Sequence, residues 1–189
     1  AGANHPLLAE QARRYRPSLV TLDLQPPCDA GLPPDTIFGP SGLMAAAIHP
    51  EATIVGDLAR PGTLPADSFD CIVLTQTLHL IYDMRSAVAE LHRALRPGGL
   101  ALVTVPGVSS VDRGEWGESW CWSLTGKSAH RLFSEAFGVD NVEVGVHGNV
   151  YAATCFLHGL AVEEVEQAWL DRSDPAYPVT VAIRAVRPV

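Results

Sequence analysis

Hydrophobic and polar positions change period twice between Phe69 and Val105. Cys71-Ile72-Val73-Leu74 is a continuous apolar run, which predicts a parallel strand buried on both faces. Met84, Ala87, Val88, Leu91 and Leu95 then fall at i, i+3, i+4, i+7 and i+11, the stripe of an amphipathic helix. Asp83 stands where an N-cap belongs, and Pro97-Gly98-Gly99 stops the helix. Leu100 to Val105 is the next buried strand. Strand, helix, glycine turn and strand in that order make a βαβ unit, whose crossover is right-handed.

The pattern continues on both sides. His5 to Tyr15 reads as a helix ended at Arg16-Pro17, because proline disfavours the helical conformation in the residue before it. Leu19 to Leu22 and Thr36 to Phe38 read as strands, with a Pro- and Gly-rich loop from Gln25 to Pro34 between them. Ser41 to Ile48 reads as a helix, and Thr53 to Val55 as a short strand ending at Gly56-Asp57. Downstream, the loop from Pro106 to Leu124 holds three of the four tryptophans, Trp116, Trp120 and Trp122. Ala129, Leu132, Phe133, Ala136 and Phe137 mark a helix face, and Val142, Val144 and Val146 alternate as in a half-buried strand. Val150 to Leu160 reads as a helix and Pro178 to Val186 as a final strand. The expected fold class is α/β: a Rossmann-like, mostly parallel sheet with helices on both faces, in a single domain over 1–189.

Composition narrows the function. Apolar residues make up 47% of the 189 and charged residues 18%, ordinary for a globular domain and too apolar for disorder. Thirteen Lys and Arg against twenty-one Asp and Glu leave a net charge of −8, which disfavours nucleic acid or anionic lipid as a partner held by charge. No apolar run reaches the roughly 18 residues of a spanning helix, and Ala1 to Pro6 has no signal-peptide pattern, so the expected location is cytoplasmic. Cys28, Cys71, Cys121 and Cys155 match no paired metal or redox spacing, and the seven histidines show no HxxxH spacing, so no metal site is expected.

Ligands of open α/β sheets bind outside the carboxyl ends of the parallel strands. That rule selects Gly56-Asp57-Leu58, then Thr75-Gln76-Thr77-Leu78-His79, then Pro106-Gly107. Asp57 could accept hydrogen bonds from an amino group or a hydroxyl pair, or only cap its own turn. Gln76 could orient a polar ligand group. Thr75 could equally satisfy loop backbone. His79, with an ordinary pKa near 6.5, suits a general base near a reacting group, though a buried structural histidine is the commoner case. The tryptophan loop could be a lid, or could be anchored on the core by its rings.

Asp67-Ser68-Phe69-Asp70-Cys71-Ile72-Val73-Leu74-Thr75-Gln76-Thr77-Leu78-His79 resembles the fourth-strand region of class I S-adenosylmethionine-dependent methyltransferases of the type-11 kind. Leu91-His92-Arg93-Ala94-Leu95-Arg96-Pro97-Gly98-Gly99 and Leu100-Ala101-Leu102-Val103 resemble the helix and fifth strand that follow. The resemblance continues through Trp116-Gly117-Glu118-Ser119-Trp120 and Gly148-Asn149-Val150, and covers about residues 50–189. It implies S-adenosylmethionine as cofactor and a small-molecule methyl acceptor. Asp57 then matches the acid that accepts from the adenine amino group, and Leu58 the neighbour whose backbone contacts the adenine ring. Thr75, Gln76 and Thr77 match the segment over the methionine part of the cofactor.

The family's glycine-rich loop after the first strand has no counterpart ahead of residue 50, and Gly39-Pro40-Ser41-Gly42 is not one, since Pro40 removes a donor. A sheet incomplete at its N-terminal edge is therefore expected, with impaired turnover. Residues 1–50 instead resemble part of the NADPH-binding domain of deoxyxylulose phosphate reductoisomerase, through Ala1-Gly2-Ala3-Asn4, Leu8 to Pro17 and Gly39 to Ala52. That places a junction near 49–55. NADPH is the less expected ligand, because that family's own glycine loop and catalytic part are missing here. Alternatively, Leu19-Val20-Thr21-Leu22-Asp23 resembles a second methyltransferase strand ending in its ribose-binding acid, which nominates Asp23. If the chain is a non-catalytic binding or assembly module, the uncovered sheet edge favours a homodimer.

Overall fold

The computed structural model describes residues 21–22, 37–38, 54, 56–114 and 117–189. The chain divides into two compact units, Ala1–Val55 and Gly56–Val189. In the first, β1 (Thr21–Leu22) pairs in parallel with β2 (Ile37–Phe38), inside the two runs where strands were expected. The helices expected over 5–15 and 41–48, and Thr53 and Val55 of the strand expected there, lie outside the described residues.

The second unit is a four-stranded open sheet with helices. Its elements in chain order are β3 (Phe69–Thr75), α1 (Met84–Ala94), β4 (Leu95–Pro106), α2 (Gly126–Phe137), β5 (Val142–His147), α3 (Val150–His158), α4 (Gln167–Leu170) and β6 (Thr180–Val186). The spatial order is β3-β4-β6-β5. β3 and β4 are parallel, as the βαβ pattern requires. β6 enters between β4 and β5 and runs against both, so three of the four strands run the same way and the sheet is mixed only through β6. Running against the same neighbour, β4 and β5 point the same way. The carboxyl ends of β3, β4 and β5 therefore share one edge.

The core lies between the sheet and the helices α1 and α2. Ala87, Val88 and Leu91 of α1, and Ala129, Phe133 and Phe137 of α2, pack against Ala101, Val103 and Val105 of β4 and Val181, Ile183 and Ala185 of β6. Each large buried side chain contributes about 1.5–3 kcal/mol. The opposite face differs from expectation. Ile72 and Leu74 of β3 pack on the core, but Cys71 is exposed and Val73 is 63% exposed, because successive strand residues point to opposite faces and α1 and α2 both lie on the same one. Leu102, opposite Val73 in the register, is 38% exposed on that same face.

Local chemistry sets the element ends. The Asp83 carboxylate accepts from Ser86 N at 3.1 Å and from the Ser86 hydroxyl at 2.7 Å, capping α1. Thr125 and Ser128 form a capping box on α2. Asn149 caps α3, accepting from Ala152 N at 2.8 Å, while its Nδ2 donates to Trp169 O at 2.9 Å and Arg172 O at 2.6 Å. Pro97-Gly98-Gly99 is a bulge at the start of β4: the register steps from Phe69↔Leu95 to Cys71↔Leu100. Gly98 has φ +78°, and a Cβ on Gly99 would fall 2.8 Å from the Arg96 carbonyl oxygen, so both positions require glycine.

Glu90 is the buried charge of the unit, 2% exposed in an otherwise apolar helix face. Its Oε1 accepts from Leu64 N at 2.7 Å and its Oε2 from Gly62 N at 3.0 Å. Arg93 closes the set, with Nε on Oε2 at 2.9 Å and Nη2 on Oε1 at 2.7 Å, and also donates to the Leu64 carbonyl. The Arg93 hydrogen bond, against the cost of burial, and then the two backbone donors bring the Glu90 carboxyl down to about 2. This clamp ties the turn after Gly56 to α1. A carboxyl held below its unfolded value adds stability that is whole above its ordinary 4.5 and is lost as pH falls toward about 2. Glu90→Ala is expected to cost about 3 kcal/mol in urea denaturation at pH 7, because it strands the Gly62 and Leu64 amides and Arg93. The variant should also lose less stability than the parent between pH 4.5 and 2.5. An unchanged midpoint would refute the clamp.

Candidate functional site

The shared carboxyl edge is built from tightly held turns. Gln76, the first residue after β3, adopts φ +46°, in the left-handed region. A side chain there costs roughly 1–2 kcal/mol. The turn is kept by its amide, which donates to Thr104 O at 2.9 Å and reaches Thr104 Oγ1 at 3.3 Å. Thr77 Oγ1 donates to Thr75 O at 2.9 Å. The side chains of Thr75 and Gln76 are exposed at this edge, while Thr77 is half-buried. Strain held by the surrounding structure at a strand end is a mark of functional positions.

Asp57 sits in a turn of its own. Its Oδ1 accepts from Ala59 N at 2.9 Å and its Oδ2 lies 3.6 Å from Arg60 Nε. Thr63 Oγ1 donates to Asp57 O at 2.7 Å, and a Cβ on Gly56 would fall 2.4 Å from Thr63 Cγ2. The capping role weighed for Asp57 is thus present. The carboxylate stays half-exposed, and two carboxylate oxygens can accept more than these contacts supply. Leu58 packs on the core. The hydrogen bonds of Asp57 remain within 57–63 and those of Thr75–Thr77 run locally and to Thr104, so none joins the two groups among the described residues. Asp23 lies outside the described residues, one position after β1 ends.

His79 lies in a 3-10 turn, Leu78–Leu80, and is only 2% exposed. Its carbonyl accepts from Cys121 N and Trp122 N, both at 3.2 Å. Trp122 Nε1 donates to Tyr82 O at 3.2 Å with the two rings 5.6 Å apart, and Leu124 N donates to Pro106 O at 3.0 Å. The tryptophan segment is therefore pinned across the turn after β3, as the anchoring alternative requires of Trp122. Trp120 meets the His79 ring edge-on at 4.6 Å between centroids. His79 Nδ1 and Trp120 Nε1 are both buried with no hydrogen-bond partner. Such orphans cost about 1–3 kcal/mol each. Trp116 lies outside the described residues.

Two residues of this edge escaped the sequence reading. Thr104 looked like a strand interior position, and its hold on Gln76 is visible only in the β3–β4 register. Glu90 could have been found, because a carboxylate three residues after Ala87 and one before Leu91 falls on the buried helix face. Among the described residues no group of three or more His, Cys, Asp or Glu could hold a metal ion, and no helix is long and apolar enough to cross a membrane.

An open α/β sheet with an exposed, strained turn at the carboxyl end of a parallel strand is the arrangement in which Rossmann-like sheets commonly bind ligands. Comparison with known proteins makes this more particular. A family model described as a methyltransferase domain matches residues 40–103, from upstream of the junction suggested near 49–55 through most of β4. Phosphoethanolamine N-methyltransferase 2 of Haemonchus contortus, solved with S-adenosylhomocysteine and phosphomonomethylethanolamine, superposes with a TM-score of 0.52 at 15% identity, over 100% of this chain and 53% of that one. The same enzyme with S-adenosyl-L-methionine gives 0.50 at 16% identity, over 100% and 53%. The chain thus spans about half the length of these structures. None of the curated proteins matches it. The fold is that of class I S-adenosylmethionine-dependent methyltransferases, and the resemblance read from 50–189 is supported. The reductoisomerase resemblance of 1–50 gains no support from these matches.

Burial lowers the pKa of His79, and burial together with the Arg187 charge lowers that of His92, which stacks edge-on against Phe137 at 5.0 Å. In both, the fold favours the neutral ring. Between the lowered values and the ordinary 6.5 the unfolded chain binds more protons, so acidification below about 6.5 destabilises the fold. The double variant His79→Asn, His92→Asn should flatten the stability profile between pH 6.5 and 5, as read by urea midpoints. An undiminished slope would mean that neither ring is held neutral. At Gln76 the sign of a glycine substitution should reverse. Gln76→Gly is expected to leave stability unchanged or raise it by about 0.5 kcal/mol, where glycine in an ordinary strand costs about 0.5–1 kcal/mol. A loss beyond 1 kcal/mol would show that the turn is not strained.

Proposed function

We propose that the chain is a methyltransferase that binds S-adenosylmethionine along the carboxyl edge of β3 and β4 and acts on a small molecule. The observation that carries this is the left-handed Gln76 turn, fixed by Thr104 at the carboxyl end of a parallel strand, where ligands of open α/β sheets commonly bind. When bound, the cofactor supplies an electrophilic methyl group on a sulfonium. The chain's own residues bind and align. Asp57 offers its half-exposed carboxylate to the adenine amino group, and the Leu58 backbone contacts the ring. Thr75, Gln76 and Thr77 line the methionine part. Catalysis is then mainly proximity and alignment.

The second reading, a non-catalytic binding or assembly module, rests on the exposed Val73 and Leu102 on the uncovered face of β3 and β4. One titration separates the two. S-adenosylhomocysteine is expected to bind with a Kd on the order of 10 μM by calorimetry, about −7 kcal/mol. Asp57→Asn keeps an oxygen for Ala59 N but removes the charge and one acceptor, and should weaken binding about tenfold, or about 1.4 kcal/mol. Unchanged affinity in that variant would sink the Asp57 assignment. No binding by the parent chain, with a dimer in sedimentation, would favour the module.

A further inference from the structure

We propose that the His79–Trp120 pair docks a hydroxyl group, so that the methyl acceptor is an alcohol or phenol and the nucleophile is oxygen; this rests on the methyltransferase reading. Two buried polar atoms without partners, His79 Nδ1 and Trp120 Nε1, sit on rings whose centroids are 4.6 Å apart. They lie beside the turn that follows β3, at the edge where the fold binds its ligand. The segment carrying Trp120 is held over the His79 turn by the Cys121 and Trp122 amides, which donate to the His79 carbonyl.

The chemistry of the two atoms selects the ligand. Indole Nε1 only donates. A neutral imidazole protonated at Nε2 accepts at Nδ1, and burial favours the neutral ring. A single group meeting both atoms would then accept from Trp120 and donate to His79. A carbonyl or an ether accepts but cannot donate. A neutral amine can do both, but its only lone pair is then taken by the indole N–H and none is left to react. A hydroxyl oxygen accepts with one lone pair, donates its proton to Nδ1 and keeps a second lone pair free. As that pair bonds to a methyl carbon of a sulfonium donor, the C–S electrons remain on sulfur as a thioether. The O–H proton passes to Nδ1, and the single positive charge moves from sulfonium to imidazolium.

The test uses phenol as probe, with anisole as the matched ether and aniline as the matched amine, followed by the Trp120 indole and His79 imidazole signals in ¹⁵N NMR spectra. The indole signal is assigned by its loss in Trp120→Phe. Phenol should shift both signals saturably, anisole should bind at least tenfold more weakly, and aniline, which can also bridge the two atoms, should bind but take no methyl group from S-adenosylmethionine. Trp120→Phe and His79→Asn should each weaken phenol at least fivefold while leaving S-adenosylhomocysteine affinity within twofold. Three results would overturn the proposal: no phenol shift, which leaves only a bridging water; equal binding of anisole; or methyl transfer to bound aniline. The phenol and anisole comparison on the parent chain decides the matter even where a variant fails to fold. Loss of S-adenosylhomocysteine binding with phenol binding intact would instead remove the methyltransferase reading, and with it the assignment of the docked hydroxyl as a nucleophile.

Discussion

The antiparallel ladder between β4 and β6 is the constraint on which the second unit depends. Seven register pairs, from Leu100↔Val186 to Pro106↔Thr180, join the middle of this unit to its last strand. β4 is hydrogen-bonded on both sides, to β3 and to β6, so each loop at the carboxyl edge hangs directly or through one neighbour from this strand. Arg187, just beyond β6, fixes the other end: its guanidinium donates to the carbonyls of Arg93 and Leu95 and to the Asp67 carboxylate. The end of α1, the turn before β3 and the end of β6 thus converge on one cation. Weakening this ladder would release β3 and β5 from each other, because neither bonds to the other directly.

A rigid ladder permits strain at its edge. Gln76 keeps a left-handed conformation because Thr104, two residues from the end of the β4–β6 pairing, holds its amide. The Asp57 turn is held from the other side, where Glu90 and Arg93 grip residues 62 and 64. Neither arrangement is cheap: one carries a strained backbone and the other a buried carboxylate. Both place exposed polar groups on turns that side-chain entropy alone would leave mobile.

Periodicity made the core legible. The stripe Met84, Ala87, Val88, Leu91, Leu95 and the face Ala129, Leu132, Phe133, Ala136, Phe137 are the two helix surfaces that pack on the sheet, since burial follows the 3.6-residue repeat directly. The strand-end rule likewise led to Gln76. What the pattern could not reveal was where β6 inserts. A strand's partners depend on long-range register, and an apolar run such as Cys71–Leu74 reads the same whether one face or two are covered. Polar pairing was illegible for the same reason: Glu90 with residues 62 and 64, and His79 with Trp120, are contacts across 26 to 41 positions of sequence.

The low identity to the solved methyltransferases, 15% and 16%, fits this division of labour. Ladders, caps and a period of apolar residues specify the sheet, and many sequences satisfy them. The contacts assigned here to the cofactor are partly backbone, at Leu58 and in the Gln76 turn, and tolerate substitution equally well. An acceptor is different. It is recognised by side-chain donors and acceptors whose number and sense must match, and a mismatch leaves a buried group unpaired. Fold likeness therefore carries no information about the acceptor, even when the superposed enzyme holds one. On the proposal that His79 and Trp120 dock the acceptor, that information resides in the turn after β3 and in Trp120 packed against it, whose two ring nitrogens have no partner.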